Sequence, residues 1–409
     1  MANLAWTTGP HRSTCVAVLL LAVLAAGGVA PAQAPPLVLE SISAGRDHAC
    51  GITPQHVAYC WGRNADGELG DPSVTRPCLG SSEACSAKPV RVAASVPFAS
   101  ISAGHAFTCA VATSGDAYCW GNNGSGQLGI GSQTSHNRPV KVSVEGVTFQ
   151  SISAGDTHAC AVTSAGAAWC WGSNAGGKLG LGRAGGGRTA PAAVAGHLVF
   201  RAVSAGYYHS CGVTRDGKVY CWGRNDQGEV GSALRTGSPA PVRVAGEAAF
   251  RLVQAAAQFD YSCAMDANGA AWCWGADCFN QLGVDSLTEQ CGTPPMPCST
   301  KPAPVRTGGA VQSVGAAFSH SCALTAAGAV LCWGDNNDGQ LGNGNSGDRA
   351  VTPGAVVGGQ TYRALSVGRE LTCAITTQGI PQCWGLNDSG QLGTGAAGNR
   401  SEPTPLAAP

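Results

Sequence analysis

The string Cys-Trp-Gly occurs seven times in this chain of 409 residues, and each copy has another Cys ten residues before its own. The seven pairs are Cys50 and Cys60, Cys109 and Cys119, Cys160 and Cys170, Cys211 and Cys221, Cys263 and Cys273, Cys322 and Cys332, and Cys373 and Cys383. Successive copies are 51, 52 or 59 residues apart. A period of this length indicates repeated copies of one supersecondary unit that pack against each other.

Each copy has the pattern of a β-hairpin with two apolar faces. In the segment SCGVTRDGKVYCWG, Asp216 and Gly217 fall in the turn, and side chains on either side alternate with the period of two that is typical of strands. One face carries Cys211 and Val213, and the opposite face carries Trp222. Because both faces are apolar, both must be covered by other parts of the protein.

A ring in which each small sheet packs between two copies of itself covers both faces, and this is the arrangement of a β-propeller. The sequence therefore predicts an all-β fold, a seven-bladed β-propeller of four-stranded antiparallel blades. Besides the hairpin, each blade needs a P-V-x-V strand, as at 139–142, and an F-x-S-I-S-A-G strand, as at 149–155. The first copy lacks a preceding P-V-x-V strand and the last copy is followed by one. We therefore expect the N- and C-terminal strands to share a blade that closes the ring.

A three-residue turn places the two cysteines of a hairpin opposite each other. If residues 215–217 form the turn, residue 214 pairs with 218 and Cys211 faces Cys221 at a distance that suits a disulfide. Zinc sites use closely spaced Cys pairs, which the separation of ten residues does not provide. We therefore predict one structural disulfide in each of the seven hairpins and no metal site.

Four more cysteines lie in insertions that lengthen copies 1 and 5. Both insertions contain C-x6-C followed by Lys-Pro, and we predict that Cys78 pairs with Cys85 and Cys291 with Cys298. Cys278 is left free or exchanges with the second pair. We expect both loops at the same end of the ring, nearly opposite each other across the axis. They are either stabilised insertions or part of a binding surface.

The N-terminus has the pattern of a secretory signal peptide. His11 and Arg12 precede an uncharged apolar run at 15–26, and cleavage after Ala32 fits an A-x-A site. A membrane anchor is the alternative, but the apolar run is shorter than the ~20 residues that a bilayer requires. The expected organisation is a signal peptide at 1–32 and a propeller at 33–409, with a mature chain that is extracellular or periplasmic and has no membrane span.

The charge balance argues against several classes of function. The chain has 24 basic and 24 acidic residues, so it lacks the positive field that holds proteins on nucleic acid. The catalytic strings G-x-S-x-G and H-E-x-x-H and the P-loop do not occur. We therefore expect no nucleic-acid partner, no cofactor and no enzymatic activity, and we expect the protein to be a monomer.

The repeated strings S-A-G-x-x-H-x-C, C-W-G-x-N and G-x-L-G resemble the regulator of chromosome condensation repeat, and the seven copies cover essentially the whole mature chain. The resemblance implies a seven-bladed propeller. The variant with a cysteine at each end of the hairpin looks like the secreted, disulfide-bearing form of bacterial extracellular proteins. Copy 5 departs from the pattern, because Gln258 takes the place of the glycine of S-A-G. A family member that acts outside the cell implies that loops at one end of the ring bind a protein.

A His recurs two residues before the first Cys of the hairpin, but only in four copies. These residues are His48, His158, His209 and His320, whereas copies 2, 5 and 7 have Phe107, Tyr261 and Leu371 there. A shared catalytic or metal position would not accept Leu. We therefore interpret these histidines as half-buried structural residues of a loop.

The candidates for a binding surface are the residues that interrupt the repeat near aromatic side chains: Phe107, Tyr207, Tyr208, Phe259, Asp260 and Tyr261. Tyr is common among residues that dominate binding energy, and copies 4 and 5 are neighbours. Ordinary loop packing is the alternative. The leading hypothesis is a secreted, non-catalytic propeller that presents loops at one end of the ring to a protein or cell-surface ligand. The alternatives are a secreted hydrolase with a site on the axis and a structural or adhesive surface component.

Overall fold

The computed structural model describes residues 35–78 and 82–409, so the predicted signal peptide at 1–32 lies outside the described residues. The described chain forms seven consecutive antiparallel sheets, which are the blades of a β-propeller. Six blades have four strands, and blade 5 has a fifth, Glu289–Cys291. A single 3-10 turn, Ala175–Gly177, is the one helical element in this part of the chain.

The four strand positions repeat in the same order in every blade. The first strands are Ser41–Ala44, Phe98–Ala103, Phe149–Ala154, Phe200–Ala205, Phe250–Ala255, Val311–Ala316 and Tyr362–Val367. The second strands are His48–Ile52, Phe107–Ala112, His158–Thr163, His209–Thr214, Tyr261–Asp266, His320–Thr325 and Leu371–Thr376. The third strands are Ala58–Arg63, Ala117–Gly121, Ala168–Gly172, Val219–Gly223, Ala271–Ala276, Val330–Asp335 and Pro381–Gly385. The fourth strands are Cys85–Arg91, His136–Lys141, Arg188–Ala193, Ser238–Arg243, Met296–Val305, Arg349–Ala355 and Arg400–Pro405.

The first strands surround the axis, since each packs against the first strands of both neighbouring blades. The fourth strands are edge strands in six sheets and pair only with the third strands there. Every fourth strand contains at least one Pro, for example Pro89 in blade 1 and Pro139 in blade 2. Pro is typical of edge strands, because it has no N–H to donate to another strand.

The expectation that the terminal strands share a blade is wrong. Each P-V-x-V strand pairs with the hairpin that precedes it in the chain, so blades 1 and 7 are both contiguous. The ring closes by the same packing as elsewhere: the first strand of blade 1 lies against that of blade 7, and the Ala44 N–H donates to Ser366 Oγ at 2.8 Å. Equivalent bonds join other blades, as from the Ala103 N–H to Ser43 Oγ at 2.9 Å.

The two cysteines of each hairpin face each other and form a disulfide. In blade 4, Cys211 is directly opposite Cys221, with Cα atoms 4.0 Å apart, and the Thr214 N–H donates to the Lys218 carbonyl across the turn. The same pairing occurs in all seven hairpins. The insertions contain the disulfides Cys78–Cys85 and Cys291–Cys298. Cys278 is the free cysteine of the described residues.

The Trp of each Cys-Trp-Gly string is completely buried and joins its blade to the preceding one. Its indole N–H donates, at 2.8 to 3.0 Å, to a main-chain carbonyl in the G-x-L-G turn of that blade. The Gly that ends this turn is required by its positive φ and by contact with the indole. A Cβ on Gly231, where φ is 72°, would lie 2.6 Å from the Trp274 ring.

The repeated His residues are fully buried rather than half-buried, and they also join adjacent blades. His320 Nε2 lies 2.8 Å from Thr372 Oγ1 of the next blade, and this hydroxyl donates to the Gln340 carbonyl. The imidazole therefore donates from Nε2. Burial lowers the pKa of His320 to about 3, so the ring is neutral in the folded protein. His48, His158 and His209 make the same contact.

Candidate functional site

One end of the ring, which we call the top end, carries the loops from first to second strands and from third to fourth strands. Each blade contributes one first-to-second loop residue to a cavity of about 150 Å³ on the axis. These seven axial residues are Arg46, His105, Asp156, Tyr207, Gln258, Phe318 and Arg369. The backbone beneath them repeats, as the Arg46 N–H donates to the Gly104 carbonyl and the His105 N–H to the Gly155 carbonyl, both at 3.1 Å. The fold therefore holds seven side chains of six residue types on a largely repeated frame.

The loop of blade 5 differs from the prediction. Ala256, rather than Gln258, takes the place of the repeat glycine, because its N–H donates to the Tyr261 carbonyl and its carbonyl accepts from the Tyr207 N–H. Tyr261 follows the end of the first strand, Ala255, by six positions, whereas His209 follows Ala205 by four. The longer loop brings Gln258 to the axis and carries Phe259 and Asp260.

Three axial residues form a chain of polar contacts around one side of the cavity. The Arg46 guanidinium contacts His105 Nε2, and His105 Nδ1 contacts the Asp156 carboxylate. An Arg only donates, so Nε2 accepts and the imidazole proton lies on Nδ1, directed at Asp156. Both ring nitrogens are thus engaged. In this arrangement neither ring nitrogen of His105 is free to contact a ligand.

A cleft of about 560 Å³ extends from the axis across blades 7, 1, 2 and 3, and charged side chains line much of it. Arg63 lies 2.8 Å from both Asp66 and Glu68 and 2.5 Å from Glu83. Burial raises the pKa of Glu68 to about 7, against the opposing effect of Arg63. This ion-pair network fixes the turn of blade 1 rather than leaving a charge free for a ligand.

The other side of the axis is aromatic. Phe259, Phe279 and Phe318, from blades 5 and 6, are partly exposed, and their ring centroids are 5.5 to 6.0 Å apart. The guanidinium of Arg349 lies 5.0 Å from the Phe279 centroid, and that of Arg369 lies 5.3 Å from the Phe318 centroid. Arg stacked on an aromatic ring combines apolar area with hydrogen-bond donors, as binding surfaces do.

Blade 4 continues this surface with Tyr207 and Tyr208, whose centroids are 4.1 Å apart. Arg224 lies 5.0 Å from the Tyr208 centroid. Beneath them the buried Lys178 amine donates to Thr157 Oγ1 at 2.7 Å and to the Tyr207 carbonyl at 3.0 Å. Burial lowers the pKa of Lys178 to about 8.

The structure places four of the six predicted surface residues at the top end and two elsewhere. Tyr207, Tyr208, Phe259 and Asp260 are partly exposed and adjacent, with Arg224 3.9 Å from Asp260. Phe107 and Tyr261 are completely buried, because they take the position of the repeated His. The Tyr261 hydroxyl donates to the His320 carbonyl at 2.7 Å. These two residues are therefore core residues, and their assignment to a surface is wrong.

Sequence reasoning missed six of the seven axial residues, and it also missed Phe279. The signal was present, since the residue after S-A-G differs in almost every copy while its neighbours repeat. Arg46, His105, Asp156 and Arg369 all stand at this position. A search limited to aromatic interruptions passes over them, and Phe279 lies in a different loop.

Within residues 35–78 and 82–409, no three His, Cys, Asp or Glu side chains are arranged to hold a metal ion. The described chain also contains no helix that is long and apolar enough to cross a membrane.

Two known sequences illustrate the relatives of this chain. The ultraviolet-B receptor UVR8 of Arabidopsis thaliana is 29% identical over 376 residues, which cover 90% of this chain and 82% of that protein. The mitochondrial RCC1 domain-containing protein RUG3 of Arabidopsis thaliana is 30% identical over 266 residues, which cover 63% of this chain and 58% of that protein.

Solved structures share the fold. Human WBSCR16 superposes with a TM-score of 0.74 at 21% identity, over 86% of this chain and 94% of that one. Yeast RCC1 (Prp20), in its complex with Kap60, superposes with a TM-score of 0.70 at 19% identity, over 80% of this chain and 78% of that one.

The repeat itself matches over most of the propeller. Two family models of the regulator of chromosome condensation (RCC1) repeat match this chain. One matches at 40–68, 98–127, 149–177, 200–229 and 311–340, and the other at 56–111, 114–162, 216–265 and 327–375. Together they span more than half of the chain, and the seven blades supply the matching architecture. The chain belongs to the RCC1 repeat family.

Proposed function

We propose that this protein is an extracellular or periplasmic, non-catalytic propeller that binds another protein through its top end. The observation that carries the proposal is the set of seven axial side chains, of six residue types, on a largely repeated backbone. The strands beneath this position repeat from blade to blade, whereas the axial side chains differ in charge, size and aromatic character. We infer that this variation serves the recognition of a particular ligand.

The chemistry of the top end supports a protein ligand. Partly exposed Phe and Tyr rings stacked with Arg224, Arg349 and Arg369 are the residue types that dominate binding energy at protein interfaces. Yeast RCC1, which has the same fold, was solved as a complex with the protein Kap60. Loops on a rigid scaffold are also where proteins commonly place their binding residues.

The cysteine content supports an oxidising compartment. The described chain contains nine disulfide bonds, and such a number is typical of secreted proteins. The signal-peptide pattern at 1–32 points the same way. The bacterial origin implied by the resemblance of the hairpin cysteines stays a prediction.

Site-directed photo-crosslinking tests the proposal. A photoreactive phenylalanine analogue replaces Tyr208 at the top end or, as the matched control in the same blade, Lys218 in the loop at the opposite end. After incubation in native extracellular fluid, we expect a discrete adduct from position 208 and none from position 218. The further substitution F259A should weaken the adduct.

Equal adducts from both positions, or none from position 208, would contradict the proposed site. Turnover of an ester, glycoside or peptide by the pure protein would favour the hydrolase alternative. Adducts between copies of this chain alone would favour the structural alternative.

A further inference from the structure

Unpaired acceptor atoms are concentrated where blades 4 and 5 meet. Four buried side-chain oxygens there have no hydrogen-bond partner within the described chain: Gln227 Oε1, Glu229 Oε1, Gln258 Oε1 and Asp260 Oδ1. Glu229 is completely buried, and Gln227 and Gln258 are more than nine-tenths buried. Gln227 and Glu229 lie in the G-x-L-G turn of blade 4, and the other two lie in the long loop of blade 5. An unpaired buried carboxylate oxygen is costly, and no group of the described chain donates a hydrogen bond to any of these four oxygens.

The equivalent G-x-L-G turn of blade 1 shows which partner a buried Glu has at this position. In blade 1, Glu68 stands at the position of Glu229, and its Oε1 accepts from Arg63 at 2.8 Å. In blade 4 the equivalent Arg224 lies beside Asp226 at 2.5 Å and over Tyr208. The other oxygen of Glu229 accepts from the Gln227 N–H at 2.9 Å. Both the acid and the Arg are retained in blade 4, but the hydrogen bond that joins Arg63 to Glu68 in blade 1 has no counterpart between Arg224 and Glu229.

Blade 3 shows that the equivalent space can hold a cation. Its residue at this position is Lys178, whose amine lies between Thr157 Oγ1 of its own blade and the Tyr207 carbonyl of the next. In blade 4 an acid replaces this Lys, and the next blade adds a second acid, Asp260, on its lengthened loop. Glu229 thus carries an unpaired oxygen at the repeat position whose side chain ends in an amine one blade earlier, and Asp260 carries another on the loop of the next blade.

We propose that Glu229 and Asp260 bind a calcium-type cation at the junction of blades 4 and 5, with the amide oxygen of Gln258 in the same loop as a further ligand. Carboxylate and amide oxygens are hard ligands, and Ca²⁺ accepts an irregular set of them together with water. Arg224, 3.9 Å from Asp260, reduces the net negative charge. The expected affinity is therefore that of weak extracellular sites, with Kd of about 10⁻⁴ to 10⁻³ M.

The cation would link the long loop to the turn of blade 4 and so hold Phe259 at the top end. In this respect the inference rests on the proposed function, because the cation would hold one residue of the proposed binding surface in place. The site itself requires no partner protein, and its test uses none.

Calcium titration of the whole protein, followed by calorimetry and by the melting temperature, tests the site at about pH 8.5 after treatment with a chelator. We expect saturable binding and a rise in melting temperature. The variants E229Q and D260N should each weaken binding at least about tenfold. Gln is the residue of four other copies at position 229, so E229Q preserves the fold. The matched control E68Q, in blade 1, should bind as wild type does.

The charged groups that face Glu229 are Asp260 and Arg224, with Asp226 beside Arg224. Absence of a calcium-dependent shift, or equal shifts in wild type and E229Q, would overturn the proposal and leave a proton as the occupant. Calcium binding without a crosslinked partner would instead contradict only the proposed function.

Discussion

The side chain two positions before the first cysteine of each hairpin corresponds to one residue of the following blade, and the two are either both polar or both apolar. Where this residue is His or Tyr, the next blade offers a hydroxyl: His320 meets Thr372, and Tyr261 meets Ser321. Where it is Phe107 or Leu371, the corresponding residues are Ala159 and Ala49. The type of side chain therefore follows from whether its neighbour needs a donor. No catalytic role is needed to explain the recurrence of His.

Replacing the polar pair by the apolar one tests this interpretation. The double variant H320L/T372A copies the pair Leu371 and Ala49, and it should be about as stable as wild type at neutral pH because both partners are removed together. The single variant H320L should cost about 1 kcal/mol, because it leaves the Thr372 hydroxyl without its donor. Denaturant titration measures both values. A double variant that is less stable than either single variant would contradict the pairing.

The stability of the double variant H320L/T372A should depend less on pH than the stability of wild type. The folded pKa of His320 is lowered to about 3, so the unfolded chain takes up a proton below about pH 6.5 that the folded protein does not. Stability is therefore lost as the pH falls from about 6.5. Between about pH 6.5 and 5 the double variant should lose about 2 kcal/mol less than wild type.

At the residue scale, the sequence predicted the burial of the repeated Trp residues but not the surface. Period-two alternation identifies which side chains share a face, and this is sufficient for the core. It says nothing about residues in a loop, where the direction of each side chain depends on the neighbouring blade. Tyr261 lies beside such a loop and therefore resembled an exposed interruption, although it begins a strand and fills the core position of a His.

At the scale of the strand and hairpin, the turn length and the period-two pattern were sufficient to predict the hairpins but not the pairing of the fourth strand. The three-residue turn determines the register, and the register brings Cys211 opposite Cys221. The fourth strand was assigned to the wrong hairpin because a P-V-x-V segment lies between two hairpins in the chain. Its pattern fits either one. Only the packing around the ring determines that it pairs with the hairpin before it.

The disulfides should differ in their rates of reduction. Hairpin cysteines are completely buried or nearly so, whereas Cys78 is partly exposed and joins an inserted loop. Under mild reduction of the folded protein, we expect alkylation first at the free Cys278 and at Cys78 and Cys85, with the hairpin cysteines protected until the blades open. Mass spectrometry of the labelled peptides measures the order. Labelling of Cys211 as early as Cys78 would contradict it.

At the scale of the whole molecule, the junction between the last and first blades repeats the others. The Ala407 N–H donates to the Gly393 carbonyl as the Ala93 N–H does to that of Gly70. On the other side of the junction, the Leu39 N–H donates to the carbonyl of Gly379 in the hairpin turn of blade 7. The ring therefore closes through ordinary contacts between blades.

A circular permutant tests the equivalence of the junctions. Joining Pro409 to Pro36 leaves five residues between Ala407 and Leu39, close to the four between Ala93 and Phe98. With new termini opened between Glu145 and Gly146, in an exposed connection, the permutant should unfold cooperatively and form all seven hairpin disulfides. A control permutant opened between Trp120 and Gly121, inside a third strand, should fail to fold. Failure of both would mean that the last junction is not equivalent to the others.

The Pro residues of the fourth strands have a consequence for crowded solutions. An exposed sheet edge can template the addition of a strand from another molecule, and such growth leads to fibrils. Around the perimeter of this ring, each fourth strand lacks at least one N–H donor because of its Pro. The propeller can therefore reach high local concentrations without its blades merging into continuous sheets.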